Sequence, residues 1–245
     1  MVQGFFGKLP SHGDFVRREL PHAFVDPWDD WLQHAIAASK AELGDAWLET
    51  YLNSPLWRFA LMPGICGDSG WAGVLIPSVD RVGRYFPLTL ATRLDDDVRP
   101  FAVSTGASAW FEAIESLALQ VLEQDTFEAD TLAARLQEIE WSADGVAHTS
   151  ARLAGGEWGL RGMARDPAAL CVGVAQQLVD FQVGQFSLWW THAEEGQESM
   201  TLVAPILPNP QSFSRLLAGD WGPQFDSELL GIEPEEAMAA EGGER

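Results

Sequence analysis

The spacing of apolar residues between Pro21 and Leu43 predicts an amphipathic helix about twenty residues long. Its apolar positions recur at three- and four-residue steps, as Phe24, Trp28, Trp31, Leu32, Ala35 and Ile36. Gly44 follows as the expected C-cap. Asp26 is an alternative start, because an N-cap residue type is followed there by Pro27 at the first helical position.

The pattern then changes from helical to extended. Three short apolar runs, separated by turns that contain Pro and Gly, predict strands over 56–61, 71–79 and 86–94. A further strand is predicted near the start of the chain, over 2–6. The connections between the three later strands are too short for a parallel crossover. We therefore expect these strands to be antiparallel neighbours.

Helical and extended patterns continue to alternate through the rest of the chain. The predicted helices cover 45–52, 108–124, 130–139, 167–178 and 209–219. A β-hairpin is predicted over 185–191 and 200–207. The polar segment 142–162 predicts a loop. This order of elements favours an α/β fold in which helices cover a mixed sheet.

The 245-residue chain is strongly acidic, with 15 Lys and Arg residues, 36 Asp and Glu residues and a formal net charge of −21. Such a surface repels nucleic acid and anionic lipid, and it suits either simple solvation or a basic partner. The start lacks a signal-peptide pattern, and no apolar run reaches roughly 18 residues. We expect a cytoplasmic protein that does not insert into a membrane.

Three short motifs invite a chemical interpretation. GDSG at 67–70 is similar to the nucleophile segment of trypsin-like proteases, but no histidine in a matching context completes a triad, so a tight turn is favoured. HGD at 12–14 and DDD at 95–97 lack the spaced ligands that zinc or calcium requires. The chain also has no phosphate-binding loop. We expect no metal and no cofactor.

Two long stretches carry more specific motifs. Residues 4–21 read GFFGKLPSHGDFVRRELP, and residues 57–90 read WRFALMPGICGDSGWAGVLIPSVDRVGRYFPLTL. The first resembles the opening G-K/R-L-P-x-x-G-D-F-x-x-R pattern of the TagF family of bacterial type VI secretion. The second resembles the family core, which ends in W-x-G-V-L-x-PS-x-D-x-V-G-R-x-FPL. SLWWT at 187–191 and LPNPQSFSRLLAGDW at 207–221 are weaker matches.

This resemblance implies both a fold and a function. The implied fold is a three-layer αβα sandwich with a mixed, largely antiparallel central sheet. The implied function is repression of type VI secretion after translation, by binding to the forkhead-associated (FHA) scaffold protein of the system. We accordingly expect one TagF-like domain over 1–225 and an acidic, flexible tail over 226–245. We also expect a binding regulator that is not an enzyme and has no small-molecule substrate.

The motifs also contain candidate partner-binding residues. Asp80, Arg81 and Arg84 fall in a predicted turn between two strands. They either form an ion pair that fixes the turn or present a charged binding loop. Asp14 and Arg17 allow the same two interpretations.

Trp189 and Trp190 are further candidates. As neighbours on a predicted strand, they face opposite sides of it. We expect one ring to pack inward and the other to cover a helix or to meet a partner. Acidic residues beside this hairpin or in the tail are expected to assist docking to the basic loops of an FHA domain, with an exposed aromatic residue as the anchor.

Two other functions are compatible with the sequence. A hydrolase using Asp14, Ser69 or Asp80 would bring these groups together in one cleft, with perturbed pKa values. A structural accessory subunit of the secretion apparatus would only stabilise another subunit. A binding regulator instead predicts an exposed patch of aromatic and acidic residues, without a convergent site.

Overall fold

The computed structural model describes residues 2–96, 98–124, 126–143, 148–152, 158–162, 168–192 and 198–220. The strands in these ranges are β1 (Gln3–Gly7), β2 (Val16–Arg18), β3 (Trp57–Leu61), β4 (Trp71–Ile76), β5 (Leu88–Arg93), β6 (His148–Arg152), β7 (Trp158–Gly162), β8 (Phe186–Thr191) and β9 (Thr201–Pro205). The helices are α1 (His22–Leu43), α2 (Trp47–Leu52), α3 (Pro100–Gly106), α4 (Ser108–Glu123), α5 (Ala129–Glu138), α6 (Ala168–Gln182) and α7 (Phe213–Ala218). Short 3-10 turns precede α2 and α7, at Gly44–Ala46 and Pro210–Ser212.

Seven of these strands form one sheet in the order β2-β1-β5-β4-β3-β8-β9. Every pairing between neighbours in this sheet is antiparallel. The prediction that β3, β4 and β5 are antiparallel neighbours is confirmed. β6 and β7 pair with each other in a separate hairpin.

The sheet separates two buried groups of apolar side chains. The first core lies under α1, α2 and α7 and includes Trp28, Phe59 and Trp189. The second core lies under α3, α4 and α5 and includes Phe111 and Trp190. Helices therefore cover both faces of the sheet, and the expected αβα sandwich is confirmed.

Helix α1 buries the whole apolar stripe that its sequence predicts. The helix begins at His22, because the backbone N–H groups of Phe24 and Val25 already donate to the carbonyl of Pro21. The alternative start at Asp26 is therefore wrong, and Pro27 lies inside the helix. Gly44 is the C-cap, as expected. Neither α1 nor any other helix of the described ranges is long and apolar enough to cross a membrane.

One ion pair crosses the second core. Arg58 of β3 points towards α4, where its guanidinium forms two parallel hydrogen bonds with the Glu115 carboxylate, Nε to Oε1 at 2.5 Å and Nη2 to Oε2 at 2.7 Å. Arg58 is buried, and its guanidinium lies 5.1 Å from the ring centroid of Phe111. This pair fixes the position of α4 on the sheet.

Four elements were not predicted from the sequence, namely the strands β2, β6 and β7 and the helix α3. Residues 142–162 are not simply a loop, because β6 and β7 pair within this segment. Their sequences, HTSAR and WGLRG, contain little apolar alternation, so a strand pattern is hard to detect. Helix α3 was not predicted either, although Pro100 at its first position is a helix-start signal. Most of its seven residues are small or polar, so the helix has too few apolar residues to give a recognisable apolar stripe.

Candidate functional site

The two long motif stretches meet at one end of the sheet, in two loops. The first motif loop, 8–15, follows β1, and the second motif loop, 77–87, connects β4 to β5. The backbone N–H of Arg81 in the second loop donates to the carbonyl of His12 in the first, at 2.9 Å. Because β1 and β5 pair antiparallel, the end of β1 lies beside the start of β5, and both loops lie at the same end of the sheet.

Asp80 holds the second motif loop in shape from inside the protein. Its buried carboxylate accepts hydrogen bonds from Lys8 Nζ at 2.5 Å, from Arg84 Nε at 2.7 Å and from the backbone N–H groups of Val82 and Arg84. Burial opposes ionisation of this carboxylate, but the four donors outweigh it and hold the pKa of Asp80 well below its usual range. Asp80 is therefore a charged structural anchor beneath the surface.

Lys8 and Ser78 connect this anchor to the rest of the fold. The Lys8 side chain is buried, and its ammonium lies 4.5 Å from the ring centroid of Phe15. The Ser78 hydroxyl donates to the carbonyl of Lys8 at 2.7 Å. The Tyr51 hydroxyl of α2 in turn donates to the Ser78 carbonyl and accepts from the Ser78 N–H, each at 2.9 Å. The loops are thus tied to a helix layer as well as to each other.

The close approach of the loops depends on Gly7. This residue has φ +139°, a backbone conformation that side-chain-bearing residues rarely adopt. A Cβ atom here would lie 2.1 Å from the carbonyl oxygen of Pro87. Any other residue would therefore push the two loops apart.

Above this framework lies a group of solvent-accessible side chains that we call the arginine surface: Phe15, Arg17, Arg81, Val82 and Arg84. Phe15 is 44% exposed and Val82 is 66% exposed. The Phe15 ring packs on the rings of Phe6 and Phe86, at centroid distances of 5.7 and 4.8 Å. Arg17 lies directly opposite Phe6 in the β1–β2 register and so faces the same side.

The local charge of this region is opposite to that of the whole chain. Residues 8–17 and 80–84 contain four cations and two carboxylates, a formal net charge of +2, whereas the chain carries −21. One carboxylate is the buried Asp80, and the other, Asp14, accepts the N–H of Phe15 at 2.8 Å. The Glu128 carboxylate lies 3.9 Å from His12 Nε2 and lowers the local sum to +1, with His12 counted as neutral. Across the described ranges, no carboxylate lies within ion-pair distance of Arg17 or Arg81. Within the part of the chain that the structure describes, these two arginines therefore present positive charge without an ion-pair partner.

Residues 4–139 match the TagF N-terminal domain, described as type VI secretion system-associated. This match spans more than half of the chain. The chain belongs to the TagF family.

A solved structure is similar to this chain over a longer range than the family match. The crystal structure of PA0076 from Pseudomonas aeruginosa PAO1 is similar to this chain with a TM-score of 0.72 and 37% sequence identity. The similarity covers 89% of this chain and 94% of the PA0076 chain. Proteins of curated function give no match.

The structure brings together all five candidate residues from the two long TagF motif stretches. Asp14, Arg17, Arg81 and Arg84 lie at the joined loops, with Asp80 beneath them. The ion-pair interpretation is correct for Asp80 and Arg84. Arg81 is exposed in the same turn, and its role in binding a partner stays a prediction. Sequence reasoning missed Phe15 and Val82, although each directly follows a charged residue in a turn-rich segment.

Trp189 and Trp190 lie elsewhere, and both are buried. Trp189 belongs to the first core, where its ring stacks on Trp28 at a centroid distance of 5.8 Å. Trp190 faces the second core and contacts Phe111 of α4 edge-on, at 5.1 Å. Their opposite orientation is as predicted, and the second ring covers a helix. Neither ring is the exposed anchor that the sequence suggested. The acidic residues within 193–197 and 226–245 lie outside the described ranges.

The groups of the hydrolase alternative do not share one cleft. Ser69 lines a cleft of about 230 Å³ beside the start of α1, together with Glu19 and Arg93. Asp14 and Asp80 do not line it, because they belong to the joined loops. The GDSG segment is part of a tight turn, in which the Gly64 N–H donates to the Gly67 carbonyl at 2.7 Å and Gly67 has φ +81°.

Candidate metal ligands are likewise dispersed. Among the described residues, no three His, Cys, Asp or Glu side chains are grouped so that they could hold a metal ion. Nδ1 of His12 is hydrogen-bonded to the hydroxyl of Ser11, and its Nε2 lies 3.9 Å from the Glu128 carboxylate. Asp97, the last of the three consecutive aspartates, lies outside the described ranges.

Proposed function

We propose that this TagF-family chain is a negative regulator of type VI secretion that acts after translation, by binding the FHA-domain scaffold protein of the system. The observation that carries the proposal is the arginine surface: the two motif stretches build an exposed and internally braced patch. Family membership supports a role in type VI secretion. The choice of the FHA scaffold comes from what the TagF resemblance implies.

The arrangement of the motif residues favours binding over catalysis. Arginines beside exposed apolar side chains are the composition of interface hot spots. Bracing by Asp80 and Lys8 means that little ordering is required when a partner docks. A hydrolase would instead need a nucleophile, a base and a stabilising group at mutual hydrogen-bond distance. We therefore propose a cytoplasmic binding regulator and not an enzyme.

The proposal is tested by calorimetry with the purified chain and the purified FHA scaffold protein encoded in the same secretion locus. We expect saturable binding that weakens between about 50 and about 150 mM salt, because exposed charge contacts are screened. The absence of binding at micromolar concentrations would overturn the proposal.

A cell-based measurement separates this proposal from the hydrolase alternative. Ser69→Ala should leave both scaffold binding and repression of secretion unchanged, because Ser69 lies in a different cleft from the arginine surface. A Ser69→Ala chain that still binds the scaffold but no longer represses secretion would favour the hydrolase.

A further inference from the structure

We infer that the arginine surface docks an acidic segment of its protein partner, one that also carries an apolar side chain. This inference rests on the proposed function, since it describes the partner's side of that contact. It reverses the charge relationship expected from composition alone, in which the acidic chain would meet basic loops of the partner.

The charge distribution indicates that the bound segment is short and negatively charged. Arg81, Arg84 and Arg17 present positive charge, while the rest of the chain is strongly negative. A short acidic segment meets only the local positive field, because charge interactions are screened beyond about 8–10 Å at physiological salt. A long polyanion such as nucleic acid would extend over the acidic remainder of the chain and be repelled by it.

The apolar part of the surface defines the second feature of the occupant. Val82 is 66% exposed at the tip of the second motif loop, directly after Arg81. Phe15 exposes 44% of its surface beside the Lys8 ammonium. Removing apolar surface from water is favourable, so an apolar side chain of a partner that packs against Phe15 and Val82 would stabilise the complex. The patch therefore fits a leucine-like side chain flanked by carboxylates.

The backbone geometry keeps this patch in one shape. Asp80 accepts the N–H groups of Val82 and Arg84, which fixes the loop on both sides of Gly83. The Arg84 guanidinium is held between the Asp80 carboxylate and the carbonyl of Gly13. Arg84 is thus oriented before a partner arrives. The exposed Arg81 guanidinium lies beside Gly13 and has no ion-pair partner among the described residues, so it can bind a partner carboxylate.

The probe for this inference is a synthetic peptide, N-acetylated and C-amidated, with the sequence EELEELEE. Its binding to the full chain is measured by calorimetry, together with EESEESEE and KKLKKLKK peptides. The chain variant is Arg81→Glu, and the matched control is Arg93→Glu. Both variants replace an arginine by a glutamate and so change the net charge of the chain equally. Arg93 is exposed at the end of β5 that lies away from the second motif loop.

We expect the glutamate–leucine peptide to bind and the lysine–leucine peptide not to bind. Arg81→Glu should weaken binding about tenfold or more, whereas Arg93→Glu should leave it within about twofold. Replacing leucine by serine in the peptide should also weaken binding, because the apolar anchor is lost. Unchanged melting temperatures of both variants would show that the chain still folds.

Several outcomes would overturn the inference. If Arg81→Glu and Arg93→Glu weaken peptide binding equally, the weakening comes from the net charge of the chain and not from the arginine surface. Tight binding of a single-stranded oligonucleotide that is equally sensitive to Arg81→Glu would assign the surface to nucleic acid.

If the FHA scaffold binds the Arg81→Glu chain as well as the unmodified chain, the inference fails and the proposed function survives. If the peptide binds but the scaffold does not, the proposed function fails and the assignment of an acidic ligand survives.

Discussion

Lys8 and Asp80 are 72 positions apart in the sequence, yet Lys8 Nζ lies 2.5 Å from Asp80 Oδ2 with both side chains buried. This ion pair joins the two motif loops. Because both charges are out of contact with water, removing Asp80 leaves the Lys8 ammonium as an uncompensated buried charge, whereas removing Lys8 leaves Asp80 paired with Arg84.

Asp80→Asn should therefore destabilise the protein by about 3–5 kcal/mol at neutral pH. Lys8→Met should cost less, because Asp80 keeps its hydrogen bonds from Arg84 and Val82. The double variant should lose less stability than the sum of the two single variants. Urea denaturation of all four proteins measures this coupling, and additive losses would show that the pair does not act as a unit.

The contribution of Asp80 should also depend on pH in one direction. The folded protein lowers the pKa of Asp80 below the value of about 3.9 expected in an unfolded chain. Its stabilising effect is therefore complete above that value and is lost as the pH falls towards the lower, folded pKa. The difference in unfolding free energy between the unmodified chain and Asp80→Asn should be constant from about pH 7 to about pH 5 and shrink below about pH 4.

Urea denaturation of both proteins across this pH range is the measurement. Both chains share all the other carboxylates, so the difference isolates Asp80. A difference that grows in acid would contradict the assigned direction of the pKa shift.

The Arg58–Glu115 pair should be equally sensitive to the loss of one partner. Glu115→Ala leaves the buried Arg58 guanidinium without its carboxylate, which should cost about 3–5 kcal/mol. Glu112 lies on the exposed side of the same helix and forms no ion pair within the described ranges. Glu112→Ala should therefore change stability by no more than about 0.5 kcal/mol. Equal effects in thermal unfolding would mean that α4 does not depend on this pair.

Gly7→Ala should be more damaging than an alanine placed at another glycine with positive φ. At Gly7 the new methyl group would meet the Pro87 carbonyl, so the joined loops must separate. Gly184 also has positive φ, at +78°, but has no atom within 4 Å of the added Cβ position. Gly184→Ala should cost only the backbone strain, about 1–2 kcal/mol.

Thermal unfolding ranks these two glycine variants, and binding of the EELEELEE peptide adds a second measurement. We expect Gly7→Ala alone to weaken the peptide contact. If Gly184→Ala proved the more destabilising, close packing of Gly7 against Pro87 would not be what holds the loops together.

The parts of the fold with strong local signals could be predicted from sequence. Helix α1 carries a long apolar stripe, and β3, β4 and β5 are joined by turns too short for a crossover. Trp189 and Trp190 face opposite sides because strand side chains alternate. The β6–β7 hairpin lacks such a signal, since its strands are polar and rich in small residues.

The candidate site could be predicted only in part, for a different reason. The motifs identify the loops, but their meeting depends on β1 pairing with β5, a contact between segments more than 80 residues apart. Nothing in the spacing of Lys8 or Asp80 shows that the two side chains are buried together. Composition also predicts a uniformly acidic protein, whereas the fold gathers a positive patch from two separate stretches.

The position of β3 between β4 and β8, inside the sheet, has a consequence for protein synthesis. β3 needs β8 on its outer side, yet Phe186 follows Leu61 only after more than a hundred residues. At typical elongation rates of about 5–20 residues per second, the ribosome makes these strands roughly 6–25 s apart. Throughout this interval the apolar edge of β3 is open to pairing with another nascent chain. A fragment that ends at residue 139, where the TagF N-terminal match ends, would retain that open edge permanently.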